Sequence, residues 1–190
     1  MSVQRKKTPP HRKATYQDVL DAPPHKIAEV VDGALYTNPR PAPRHTRARS
    51  SLGGSLFNPF DNGQGGPGGW WIFDEPELHL GDDILVPDLA GWRRERMPKL
   101  PDTAYFTLAL DWACEVISPS TRKLDLGGKR DVYAREGVPY LWFVEPEART
   151  LEAFELREGQ WVLIATLTDD VPVSLPPFDA ISFPLGSLWT

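Results

Sequence analysis

The sequence predicts a mixed α/β domain in which a central sheet is flanked by helices and hairpins are added toward both ends. Residues 109–118 form a nearly continuous apolar run of strand length, as expected for a strand buried on both faces. A polar segment of helical spacing follows over about 122–136 and leads into a second apolar run at 139–144. Two tight-turn signals, Asp32-Gly33 and Glu158-Gly159, each separate a pair of strand-like runs.

Taken in order, residues 1–13 mix charge, Pro and His without periodicity and are expected to be a disordered basic tail, with one domain over 14–190. The tail reads either as an arm for nucleic acid or as a solubilising end. Thr15 is placed to N-cap a short helix through Leu20, which Asp21-Ala22-Pro23-Pro24 stops. Strands at 27–31 and 34–36 make the first hairpin and carry Glu29. After a connector at 39–43, residues 45–60 have helical spacing with Leu52, Leu56 and Phe60 on one stripe. His45 and Arg49 lie one turn apart at its start, either solvated or within reach of a phosphate.

Residues 63–69 are glycine-rich but lack the Gly-Lys-Ser/Thr ending of a phosphate loop, and so read as a flexible connection. Strands at 70–73 and 77–80 flank the turn Asp74-Glu75-Pro76, and Glu77 and His79 read as a surface pair. Residues 84–92 read as one strand, with Pro87 marking an edge or a bend. A polar, proline-broken loop at 93–103 precedes the central strand. Ser118-Pro119-Ser120-Thr121 supplies hydroxyl caps to the helix that follows. A hairpin of strands at 151–156 and 161–167 comes next. The tail from Val171 ends in Ile181, Phe183, Leu185, Leu188 and Trp189, which cover the core or a dimer partner.

A chain of 190 residues with 41% hydrophobic content can bury a full single-domain core. It contains no apolar run near the roughly 20 residues that span a bilayer and no signal-peptide core, so a soluble cytoplasmic protein without a membrane partner is expected. The single cysteine, Cys114, lies in an apolar run and reads as a buried thiol rather than a nucleophile. A net charge of −5 weighs against a protein coated in phosphate contacts, yet basic residues cluster at 5–13, 40–49, 93–99 and 122–130.

The chemistry concentrates between residues 84 and 146. Asp88 ends the run Ile-Leu-Val-Pro and Glu115 lies in the central strand, and an unpaired carboxylate in apolar surroundings is costly to bury. If the two strands share a sheet, the carboxylates converge at one edge. Such oxygen-rich, thiolate-free donors suit Mg²⁺ or Mn²⁺. On the next helix Asp125, Lys129 and Tyr133 recur every four residues on one face. The first two alone would make an ion pair worth about 0.2–0.5 kcal/mol. Gly127-Gly128 would cost about 1 kcal/mol each inside a helix, so either the helix starts later or the backbone there approaches something closely.

The run Pro-Asp88-Leu-Ala-Gly-Trp, then Cys114-Glu115-Val-Ile-Ser-Pro-Ser-Thr, then Asp125, Lys129, Tyr133, Gly137-Val138, Tyr140, Trp142 and Pro146, resembles the Uma-type family of endonucleases in the PD-(D/E)XK superfamily. The likeness runs from about residue 15 to about 187. It implies a restriction-endonuclease-like core and Mg²⁺-dependent (or Mn²⁺-dependent) hydrolysis of DNA. Asp88 and Glu115 would hold the metal with a carbonyl near Ile117, Lys129 would be catalytic, and Glu29, Asp125 and Tyr133 would support them. His45, Arg49 and Arg122 would contact nucleic acid. The superfamily's usual lysine two residues after the acid is Ile117 here, and Lys129 is its natural replacement. Related nucleases often pair two sites, which implies a homodimer. The alternative is an inactive nucleic-acid-binding or assembly module on the same fold.

Overall fold

The computed structural model describes residues 12–189. The predicted basic tail therefore lies mostly outside the described residues. Of its last residues, Arg12 binds both carboxylate oxygens of Asp18, and Lys13 lies 3.5 Å from Asp82. Asp18 also accepts the Thr15 backbone N–H at 2.8 Å, which starts helix α1 (Tyr16–Leu20).

The strands form two main sheets. The smaller has the order β2-β1-β5-β4, built from β1 (Lys26–Val31), β2 (Ala34–Pro39), β4 (Leu78–Leu80) and β5 (Asp83–Leu85). Asp32 and Gly33 both have positive φ, as the two-residue turn between β1 and β2 requires. The larger has the order β10-β9-β8-β7-β6-β3, from β3 (Trp70–Asp74), β6 (Leu89–Arg93), β7 (Trp112–Val116), β8 (Tyr140–Glu145), β9 (Thr150–Arg157) and β10 (Gln160–Thr168). Only β7 and β8 pair in parallel within it, because a helical crossover joins them. That crossover contains helix α3 (Arg130–Arg135). A small pair, β11 (Pro172–Val173) with β12 (Phe183–Pro184), completes the strands.

The six-stranded sheet is covered on both faces. Trp112, Cys114 and Val116 of β7 point toward helix α2 (Pro43–Leu56) and the C-terminal segment, where Leu52, Leu56, Phe178, Leu185 and Leu188 meet Trp142. The apolar C-terminal residues therefore cover the chain's own core. Ala113 and Ile117 point the other way, toward the small sheet and α3, with Leu80, Leu85, Val132, Tyr133 and Phe143. Glu115 falls on this second face by strand alternation.

Several boundaries differ from the sequence reading. The expected strand 84–92 is two strands in two sheets, since Pro87 cannot donate to a ladder and the chain crosses between sheets at residues 86–88. The strands flanking Asp74-Glu75-Pro76 likewise join different sheets. The central strand is shorter than 109–118, and Asp111 bends the chain where its carboxylate binds the Arg93 N–H at 2.8 Å. Helix α2 starts at Pro43 and gives way to a π-turn at Phe57–Asp61, which contains Pro59 with no N–H to donate. Residues 63–69 are not loosely placed: a Cβ on Gly66 would stand 2.4 Å from that of Pro59, so only glycine allows the approach. Helix 122–136 is π-helical over Leu124–Lys129 before α3. Gly128 there faces Val31 so closely that a Cβ would lie 2.8 Å from its Cγ1, the close approach that the glycine pair had signalled. Among the described residues no helix is long and apolar enough to cross a membrane.

Candidate functional site

Asp88 stands one step before Leu89, which pairs with Cys114, so the register sets Asp88 opposite Glu115 on the same face. Two backbone bonds fix Asp88. Its Oδ2 accepts the Val116 N–H at 2.8 Å, and its carbonyl accepts the Glu75 N–H at 3.1 Å. Glu115, 1% exposed, receives the Tyr133 hydroxyl at 2.6 Å and the Lys129 ammonium at 2.9 Å. Lys129 also lies 3.0 Å from Glu29 and 3.8 Å from Asp125, and donates to the Val86 carbonyl at 3.0 Å. Glu29 in turn accepts the Val86 N–H at 2.9 Å. Strand β1, the 86–88 crossing, β7 and the π-turn thus each bring one part of a single cluster.

The cluster is short of positive charge. Three buried carboxylates share one ammonium, and Asp88 is close by. Burial pushes the Glu115 carboxyl well above its usual range even though Lys129 opposes the shift. Burial likewise lifts Asp125 to about 6 against the pull of Lys129. Burial alone would lower Lys129, but Glu115 and Glu29 outweigh it and hold the ammonium charged. Tyr133 is raised by burial and then by Glu115, so it stays a neutral donor. Cys114 is raised by burial, in keeping with an inert thiol.

Of the predicted site residues, Asp88, Glu115, Lys129, Glu29, Asp125 and Tyr133 come together, and all but Tyr133 line one cavity of about 280 Å³. His45 and Arg49 are not solvated, contrary to that sequence alternative. His45 is 8% exposed, its Nε2 lies 3.3 Å from Asp88 Oδ2, and its buried Nδ1 has no partner among the described residues. Arg49, 9% exposed, pairs with Asp74 at 2.8 Å and with Glu75, and lies 3.8 Å from Asp88. Asp74 and Glu75 escaped the sequence reading, although a usable signal existed. His45 and Arg49 fall on the same helical stripe as Leu52 and Leu56, so they had to be buried and needed partners. Arg122 stands apart, half exposed and paired with Glu145 at 2.6 Å. Ser118 bonds Ser120 and Thr121 as a cap, and His79 bonds Glu77 at 2.8 Å while stacking on Tyr105.

Among the described residues no three His, Cys, Asp or Glu side chains already form a cation cage. The donors fit a small hard cation in another way. Asp88 and Glu115 are adjacent oxygen donors in a carboxylate-rich cavity, and Mg²⁺ is typically held by one or two carboxylates with water completing the shell.

Comparison with known proteins follows the same lines. Among curated proteins none matches the chain. The fold is similar to the crystal structure of a "putative nuclease belonging to DUF820" from Anabaena variabilis, with a TM-score of 0.73 and 20% identity over 93% of this chain and 97% of that one. At that identity the likeness speaks for the fold. The Uma2 family, described as "Putative restriction endonuclease", matches residues 14–186. With the match spanning both sheets, the crossover and the carboxylate cavity, the chain belongs to the Uma2 family.

Proposed function

We propose that the chain is a metal-dependent endonuclease that hydrolyses phosphodiester bonds of DNA, with Asp88 and Glu115 holding Mg²⁺ or Mn²⁺ and Lys129 as the catalytic ammonium. The observation that carries this reading is the excess of buried carboxylate around Lys129 in one cavity. Clustered carboxyls whose ionisation is shifted by burial beside one ammonium in a cleft are the pattern that functional sites favour. When bound, a divalent cation supplies Lewis-acid chemistry and positive charge at the phosphate.

The chain's own groups have separable tasks. Val116 and His45 orient Asp88, while Tyr133 and Lys129 orient Glu115. Glu115, then Glu29 and more weakly Asp125, keep Lys129 protonated, so that it can hold an attacking water or stabilise charge developing on a phosphate oxygen. The side chain of Ile117, which stands where the superfamily lysine is usual, belongs to the same apolar cluster as Tyr133 and offers no charge, which leaves only its backbone carbonyl to take part. That departure, with the net charge of −5, is what favours the second reading, an inactive nucleic-acid-binding or assembly module.

Calorimetric titration of Mn²⁺ into the wild type and the Asp88→Ala/Glu115→Ala double variant tests the site, with incubation of each on plasmid and single-stranded DNA. Binding and cleavage by the wild type alone are expected. Binding of DNA without cleavage at any Mn²⁺ concentration would replace the nuclease reading with the module.

A further inference from the structure

The buried stripe of α2 is His45, Ala48, Arg49, Leu52 and Leu56, and it is polar only toward the N-terminal end of the helix. Ala48, Leu52 and Leu56 pack against the six-stranded sheet, whereas His45 lines the carboxylate cavity together with Asp88 and Glu115. A histidine buried there for packing alone would have both ring nitrogens satisfied, as buried polar groups generally do. His45 does not. Its Nδ1 is enclosed without a partner among the described residues, and its Nε2 stands 3.3 Å from Asp88 Oδ2.

That separation is informative. A charge-assisted N–H···O bond is about 2.7–2.9 Å long. Two donors each about 2.1 Å from one cation, at octahedral or tetrahedral angles, stand about 3.0–3.4 Å apart. The 3.3 Å between His45 and Asp88 therefore suits two ligands of one ion better than a donor and its acceptor. Competition for Asp88 is slight. Its Oδ2 takes the Val116 N–H at 2.8 Å and keeps a second lone pair, while Arg49 lies 3.8 Å from Oδ1 and is held by Asp74 and Glu75.

We propose that His45 is a nitrogen ligand of the cation held at Asp88 and Glu115, and that it makes the site select Mn²⁺ over Mg²⁺. The selectivity follows from ligand chemistry. Mg²⁺ is a hard ion that takes oxygen, imidazole nitrogen favours first-row transition ions, and Mn²⁺ is the member of that row that also suits carboxylate and water. This inference deepens the nuclease reading by naming the ion, and it rests on that reading for the metal site itself.

The test is electron spin-echo spectroscopy of Mn²⁺ bound to the full chain, with calorimetric titration of Mn²⁺ and of Mg²⁺ alongside. Bound Mn²⁺ should show a nitrogen coupling that changes when the histidines carry the heavy nitrogen isotope and disappears in His45→Gln. Among the described residues His45 is the one histidine in the cavity. His45→Gln should lower Mn²⁺ affinity by about tenfold or more and Mg²⁺ affinity by less than about twofold. Melting curves establish that the variant is folded, and the isotope comparison needs no variant at all. Bound Mn²⁺ without a histidine coupling overturns the ligand. An equal loss of Mn²⁺ and Mg²⁺ affinity in His45→Gln also overturns it, and leaves His45 only to orient Asp88. If DNA is cut with Mn²⁺ while no histidine coupling is seen, the ligand falls and the nuclease stands. If the coupling is present but no DNA is cut, the ligand stands and the nuclease falls. A wild type that binds no Mn²⁺, with or without DNA, removes both.

Discussion

Asp111 and Glu115 lie four residues apart, one just before β7 and the other near its far end, both almost fully buried, and they teach opposite lessons. Asp111 is matched: one oxygen takes the Arg93 N–H at 2.8 Å and the other the Arg96 guanidinium at 2.7 Å. Glu115 shares its single lysine with Glu29 and Asp125 and has Asp88 across the strand pair. A buried carboxylate with its own cation shapes the chain, whereas buried carboxylates that outnumber their cations are what the proposed metal site rests on. Burial alone distinguishes nothing here.

The comparison can be broken most severely at Lys129. Lys129→Met leaves Glu29, Glu115 and Asp125 without their common cation, and urea denaturation is expected to show a loss of about 3–5 kcal/mol. A loss below about 1 kcal/mol would mean that the cluster is far better solvated than its burial implies.

Next in size is Asp125, which sharpens the comparison through pH. Its folded pKa of about 6 lies above the ordinary carboxylate value of 3.8, so its ionisation opposes folding. This penalty is absent below about pH 4, grows as pH rises through 6, and levels off near about 3 kcal/mol. Asp125→Asn should therefore melt higher than the wild type at pH 8 and converge with it at pH 4. A variant less stable than the wild type at pH 8 would make Asp125 a structural partner of Lys129 instead. The smallest effect belongs to the matched site. Asp111→Asn should cost about 1–2 kcal/mol through its weakened Arg96 contact, with Mn²⁺ affinity unaltered in the titration.

How much of this was legible follows from the same physics. Asp88, Glu115, Lys129 and Tyr133 stood out because charge in an apolar run, or repeated on one helix face, is visible in one dimension. Glu29 was ambiguous, since its strand alternation does not say which face is covered, and a second sheet covers it. The burial of His45 and Arg49 was missed because their stripe was counted by its leucines alone. Asp74 and Glu75 depend on a turn in which Glu75 takes φ +46, a conformation that no residue pattern there announces. Of the edge or bend that Pro87 marked, the bend holds, and dividing 84–92 between two sheets needed it to be read as a crossing.

The two π-turns have a consequence for how this chain can change. Each holds one residue more than an α-helical turn, and each delivers an acid: Asp61 to the Ile72 N–H at 2.8 Å, and Asp125 to the neighbourhood of Lys129. Deleting Gly127 would let a regular helix form, yet it would close the widened turn through which Gly128 meets Val31 and Asp125 meets Lys129. Such an insertion works as a ratchet. Once a side chain has been recruited to the extra turn, the residue that made room for it cannot be lost alone, so length in these two segments should be guarded more strictly than the identity of the residues that fill them.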